Sequence, residues 1–237
     1  MIYRQFTQNM ILLTKKNHWC NGAIQFARML NPDIEVHSGT ADTPFPLEPG
    51  RKTKVLISFL SPWIIPKHIL DNVQDAQGTA INFHPAPPEY PGSGCYNFAL
   101  YHGVTEYGAT CHHMEAIPDT GKIIDTIRFP IYNCDTVFSL QHRTLDHMLI
   151  LFYRIFPIIT KNICLSETLE GSKSSETSET WARKPYLKKE LDKLCRITPE
   201  MSKEEIERRI RATQYPGRND PCLVFQEREY ILKEPDK

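Results

Sequence analysis

The sequence predicts an α/β protein: a mostly parallel, doubly wound sheet followed by a small C-terminal α+β subdomain. Three observations predict it. Short apolar runs rich in β-branched residues (Met10 to Thr14, Val55 to Leu60, Thr79 to His84) alternate with segments of helical period, the pattern of βαβ units. The stretch Ser166 to Thr180 (SETLEGSKSSETSET) lacks large apolar side chains except leucine and reads as a flexible linker. A length of 237 residues accommodates one sizeable domain and an appendage, not two full domains. The expected division is a main domain over 1–165, a linker over 166–180 and a C-terminal subdomain over 181–237.

Taken in order, MILLT reads as the first strand and Trp19 to Leu30 as the helix after it, ended at Asn31-Pro32 because the proline ring disfavours further helix. A second strand is expected over Ile34 to His37. Gly39 to Lys54 holds three prolines and two glycines, so a long loop follows. Val55 to Leu60 is a buried strand, Pro66 to Val73 a short helix started by a residue without an N–H, and Thr79 to His84 the next strand. A helix is expected over Cys95 to His102, then strands over Tyr107 to Glu115 and Ile123 to Ile131. Asp135 reads as the N-cap of a long helix reaching Lys161, with Pro157 as a point of kinking. Beyond the linker, Ser202 caps a helix over Lys203 to Thr213, and two short strands are expected near Cys222 to Gln226 and Glu229 to Lys233.

Composition narrows the function. Lys and Arg total 28 and Asp and Glu total 28, so no long-range field steers the chain to a polyanion, and a small substrate fits better than a nucleic acid. The seven cysteines are scattered and form no C-x-x-C pair, the usage of reduced thiols in the cytoplasm. The N-terminus lacks the h-region and cleavage site of a signal peptide, and the apolar stretch Met148 to Ile159 is broken by Arg154 and Pro157, too short for a membrane span.

Chemistry is expected at the carboxyl ends of the parallel strands. Asn82 and His84 lie at such an end, and their alternate positions put both side chains on one side of the strand. The turn PAPPEYPGSG stiffens the backbone just after them, and Gly92 and Gly94 permit close approach. Asp119, in IPDTG, could orient and charge-stabilise the His84 imidazole if the fold joins the two loops, leaving Asn82 to donate to an oxyanion. These parts suit attack of an amine on an acyl carbon. Taken alone, however, Asn-x-His is a common pair, Asp-Thr-Gly a common turn, and a proline cluster can simply end a strand. His102, His112 and His113 read as surface and strand-packing residues rather than a metal site, because no H-E-x-x-H or paired Cys/His spacing accompanies them.

The order of segments decides between these readings. From Ile81 to Ile124, INFHPAPPEYPGSGCYNFALYHGVTEYGATCHHMEAIPDTGKII resembles the core of the folate-dependent formyltransferases, and most closely their sugar N-formyltransferase branch. The resemblance implies a Rossmann-like fold and puts the catalytic Asn, His and Asp on Asn82, His84 and Asp119. LSPWIIPKHIL is similar to the loop lining the folate pocket, so Trp63, Ile64 and Ile65, with Ala116 and Ile117 opposite, are expected to hold 10-formyltetrahydrofolate. RATQYPG resembles the C-terminal end of sugar N-formyltransferases. The implied acceptor is a nucleotide-linked, commonly dTDP-linked, dideoxy amino sugar, with Tyr90 and Tyr215 expected on the sugar or nucleotide and Arg183 and Lys184 on the diphosphate. In bacteria the product would feed surface polysaccharide such as the O-antigen of lipopolysaccharide. A homodimer, no metal, no membrane and no nucleic-acid partner complete the expectation.

Two departures refine the branch. NHWCNG at the first helix is not the glycine-rich phosphate loop of glycinamide ribonucleotide formyltransferases, and the C-terminal part is short and neutral for the tRNA-gripping domain of methionyl-tRNA formyltransferases. The rivals are the same transfer to aminoacyl-tRNA, a non-catalytic folate- or nucleotide-sugar-binding module, and a metal-dependent hydrolase.

Overall fold

The structure, a computed structural model, describes residues 9–161, 178–216 and 221–232. A six-stranded sheet is built from β1 (Met10–Lys15), β2 (Glu35–Gly39), β3 (Val55–Phe59), β4 (Thr79–His84), β5 (Glu106–His113) and β6 (Ile123–Pro130), in the order β2-β1-β3-β4-β5-β6. The first four strands are parallel, whereas β5 runs antiparallel to both β4 and β6. The chain steps outward from β1 to β2 and then returns across β1 to β3, so strand order switches at the carboxyl ends of β1 and β3, where such folds open a ligand crevice. The fold is Rossmann-like and mostly parallel, as the alternation of segments predicts.

Residue type explains which face each strand buries. In β4, Ile81 and Phe83 enter the core beneath α1 (His18–Leu30) and α4 (Val137–Lys161), where Met148, Phe152 and Phe156 recur at helical spacing. Phe152 is wholly buried and meets Phe59 and Phe83 at ring centroids 5.2 Å apart. The alternate residues of β4 face the other layer, where Ile11, Leu13 and Leu56 pack on Ile69 and Val73 of α2 (Lys67–Asp75). Burying each such side chain contributes about 1.5–3 kcal/mol. That second layer is thinner, and it leaves Asn82 and His84 beside open space rather than under a long helix.

The long helix starts one residue later than its sequence suggests. The Thr136 and Ser139 side chains each accept from the other's backbone N–H, so Thr136 is the cap. Asp135 instead accepts a bidentate pair from Arg143 at 2.7 and 2.8 Å. The helix continues through Pro157 to Lys161.

Of the expected linker, 166–177 lies outside the described residues, as do Gly217 and Lys233 at the ends of two expected segments. After residue 180, the sequence reading omitted α5 (Lys188–Leu194) and β7 (Arg196–Ile197); α6 (Lys203–Thr213), capped by Ser202 as expected, follows, and β8 (Cys222–Phe225) and β9 (Arg228–Ile231) join β7 in a small separate sheet of order β7-β8-β9. This part shares a core with the first. Tyr186, Leu194 and Ala212 join Tyr90, Phe98 and Tyr107 in one buried cluster, α3 (Cys95–His102) lies against α6, and Asn97 Nδ2 donates to the Ala212 carbonyl at 2.7 Å.

Candidate active site

Asn82 and His84 stand at the end of β4, and the Asp119 loop closes over them. The Asp119 carboxylate lies 3.3 Å from His84 Nδ1 through Oδ2, while Gly92 N–H donates to the same oxygen at 3.0 Å. Its other oxygen accepts from Asn82 Nδ2 at 3.5 Å and lies 3.4 Å from His112 Nε2. The three expected residues therefore form one cluster, with His84 and Asp119 buried and Asn82 half-buried, and the geometric condition on Asp119 is met.

His112 belongs to that cluster although its sequence context reads as strand packing. It is the direct cross-strand partner of Asn82 in the antiparallel β4/β5 pair, which brings the two side chains together on one face. Its Nδ1 donates to the His113 carbonyl at 2.7 Å, so in the neutral ring Nε2 is an acceptor and takes a bond from Asn82 Nδ2 at 3.2 Å. That contact fixes which end of the Asn82 amide is the donor. The available signal was the pairing of β5 with β4, which local periodicity does not carry.

The His84 ring is held on both edges. Nε2 donates to the Tyr90 carbonyl at 3.0 Å, which leaves Nδ1 facing the carboxylate. A proton arriving at Nδ1 converts that contact into a charge-assisted bond. Burial raises the Asp119 carboxyl, but the charge of His84 and the hydrogen bond and charge of His112, each ring in its protonated form, together with the Gly92 N–H, outweigh it and hold the group at about 2. Asp119 is thus an anion poised between two imidazoles, and its backbone sits in the left-handed region, φ 54°, a strained setting common at functional sites.

Cys95 lies 3.8 Å from His84 Nε2 and resembles half of a thiol–imidazole pair. Burial, aided by the charge of Asp119, pushes its thiol up to about 12, and Sγ donates to the Gly92 carbonyl at 3.1 Å. It is a packing residue, not a nucleophile.

Beside the cluster opens a cavity of about 300 Å³ that Asn82, His84, Asp119 and His112 line together with Trp63, Ile64, Ile65 and Ala116. Ile64 is 80% exposed, an apolar side chain left without a partner at the mouth. Trp63 is fixed by its indole N–H, which donates to the Thr43 carbonyl at 2.7 Å. The switch point contributes Lys15 from β1 and Ser58 from β3. Ile117, expected here, is exposed and not among the lining residues.

The expected acceptor contacts lie elsewhere. The Tyr90 ring is buried in the second core cluster, stacked on Tyr186, and its hydroxyl meets His102 Nδ1 at 3.3 Å, so its part in the cavity is the carbonyl on His84. Arg183 covers the Tyr186 ring at 3.3 Å and pairs with Glu190, next to an exposed Lys184. The Tyr215 hydroxyl donates to Gln141 Oε1 at 2.6 Å. Among the described residues, no group of three or more His, Cys, Asp and Glu side chains could hold a metal ion, and no helix is long and apolar enough to cross a membrane.

A Rossmann-like sheet with an amide donor, an imidazole–carboxylate pair and an apolar slot at its strand ends defines a site for acid–base group transfer. Comparison with known proteins gives the family. Residues 54–155 match the model of the formyl transferases, and the chain carries a domain of that family. A GDP-perosamine N-formyltransferase of Brucella melitensis biotype 1 is 30% identical over 162 residues, 68% of this chain and 58% of that protein. Among solved structures, a sugar N-formyltransferase from Shewanella sp FDAARGOS_354 matches with a TM-score of 0.71 at 15% identity, covering 97% of this chain and 98% of that one. An N-formyltransferase from Helicobacter canadensis, in complex with folinic acid and dTDP-3-aminofucose, matches with a TM-score of 0.61 at 17% identity, covering 86% and 80%. Likeness at such identities shows a shared fold. The chain spans 38% and 58% of the length of two curated relatives it matches.

Proposed function

We propose that this protein transfers the formyl group of 10-formyltetrahydrofolate to the amino group of a nucleotide-linked dideoxy amino sugar. The observation that carries the reading is the junction of the Asn82–His84–Asp119 cluster with an apolar slot lined by Trp63, Ile64, Ile65 and Ala116. The planar pyrimidinone ring of a reduced pterin suits that slot, and the formyl carbon would then stand at the cluster.

Each residue has one task. The amine nitrogen attacks the formyl carbon, and Asn82 Nδ2 turns the hydrogen that rests on Asp119 Oδ1 at 3.5 Å toward the oxygen as it gains negative charge. His84 takes up the amine proton at Nδ1, and the Asp119 anion stabilises the resulting imidazolium. The bond from carbon to the folate nitrogen then breaks, and the proton held by His84 passes to that leaving nitrogen. His112 keeps the Asn82 amide turned toward the reacting oxygen.

For the acceptor, dTDP-linked sugar is the first choice, supported by the dTDP-3-aminofucose in the Helicobacter canadensis complex; the Brucella melitensis relative, named for GDP-perosamine, makes guanosine the next. A cytoplasmic homodimer serving surface polysaccharide assembly is the setting this reading carries with it. The test is to offer 10-formyltetrahydrofolate with dTDP-, GDP- and UDP-linked amino sugars and with methionyl-tRNA, and to follow product mass. A gain of one formyl group on a nucleotide sugar supports the reading; transfer to tRNA alone overturns it.

A further inference from the structure

The catalytic cluster is roofed by a segment from beyond the linker. Residues 181–186 cross the turn 88–93 and are tied to it: Ala182 N–H donates to the Pro88 carbonyl at 3.2 Å, Tyr186 N–H to the Pro91 carbonyl at 2.8 Å, and Ser93 N–H to the Tyr186 carbonyl at 2.9 Å. Gly92, at φ +87°, fits beneath this strap, and a Cβ there would collide with the Tyr186 backbone. At the other end, the Trp181 indole N–H donates to the Gly121 carbonyl at 2.7 Å. The same ring stands edge-on to His112 and His84, with centroids 5.0 and 5.9 Å away.

Both attachments converge on Asp119. Gly92, held by Tyr186, donates its N–H to the carboxylate, and Gly121, held by Trp181, is the second residue after Asp119. A non-glycine residue keeps a left-handed backbone only where its surroundings impose it, and the strap supplies a fixed point on each side. The indole also shields the two imidazoles from water, which strengthens their interaction with the anion.

We infer that Trp181 is a positioning residue of the acid–base centre and that the strap at 181–186, contributed by the C-terminal part of the chain, completes the active site. The inference rests on the formyl-transfer reading above. Its distinguishing consequence is that Trp181 acts on the chemical step while the folate slot, lined by other residues, keeps its affinity.

The test compares the full-length wild type with Trp181→Ala and Trp181→Phe. Trp181→Ala should lower kcat roughly 10- to 100-fold, leave KM for both substrates within about threefold and retain a cooperative melt. Trp181→Phe, which restores an aromatic wall but not the donor to Gly121, should recover part of the loss. A Trp181→Ala kcat within about twofold of wild type, or a loss expressed mainly in KM, overturns the inference. A measurement independent of turnover is amide hydrogen exchange: Trp181→Ala should speed exchange at Gly92 and in 119–122 and leave β1 and β3 unchanged. Unchanged exchange in the loop overturns the inference even if no acceptor is turned over, whereas a wild type that transfers no formyl group to any nucleotide sugar defeats the function alone.

Discussion

Replacing Asp119 by Asn keeps the shape of the side chain and removes its charge from between two imidazoles. The carboxyl stands at about 2 against an ordinary 3.8, so its surroundings favour the anion by about 2 kcal/mol, at 1.36 kcal/mol per pKa unit. If the attraction of the anion acts on positive charge developing at His84 in the transition state, Asp119→Asn lowers kcat roughly 30- to 60-fold. Steady-state turnover with saturating folate reads it, and a variant within about threefold of wild type would refute the reasoning. The same shift sets an acid limb. A depressed carboxyl contributes stability fully present above 3.8 and lost as pH falls through about 2. Wild type should therefore exceed the variant in urea midpoint at pH 5, with the difference shrinking as pH falls toward 2; a constant difference would contradict the account.

Two further substitutions probe the slot and the frame. A Cβ on Gly39 would collide with the Trp63 indole, so Gly39→Ala should displace the slot wall and weaken folate binding about tenfold, with kcat at saturation retained; calorimetric titration with a folate analogue checks this. Arg143→Ala leaves the Asp135 side chain, 2% exposed, without its bidentate partner. Because Arg143 is partly solvated, the cost is about 2 kcal/mol rather than the 3–5 kcal/mol of a fully buried pair, read by urea denaturation with catalysis unchanged.

Much of the site was visible in local sequence. β4 carries Asn82 and His84 on one face because alternate residues of a strand share a face, and the Pro/Gly turn after them marks a strand end on the ligand side. His112 was not visible, because its role depends on β5 pairing antiparallel with β4, and that pairing is a long-range fact. The aromatic side chain of Tyr90 suggested a ligand contact, whereas the fold uses its carbonyl and buries its ring under Tyr186. The C-terminal part was the least readable. α5 is short and mostly charged, β7 has two residues paired in parallel to β8, and the strap at 181–186 is held by backbone bonds that no side-chain pattern announces. The cap of α4 shifted from Asp135 to Thr136 for a similar reason, since Asp135 is claimed by Arg143.

The central claim is that His84 moves the proton in a formyl transfer, and His84→Ala tests it most directly. With the amino-sugar nucleotide that wild type turns over, the variant should bind folate with near-normal affinity and lose transfer by about 10²- to 10⁴-fold, the scale of general acid–base catalysis. Formyl transfer proceeding at the wild-type rate without the imidazole would contradict the account.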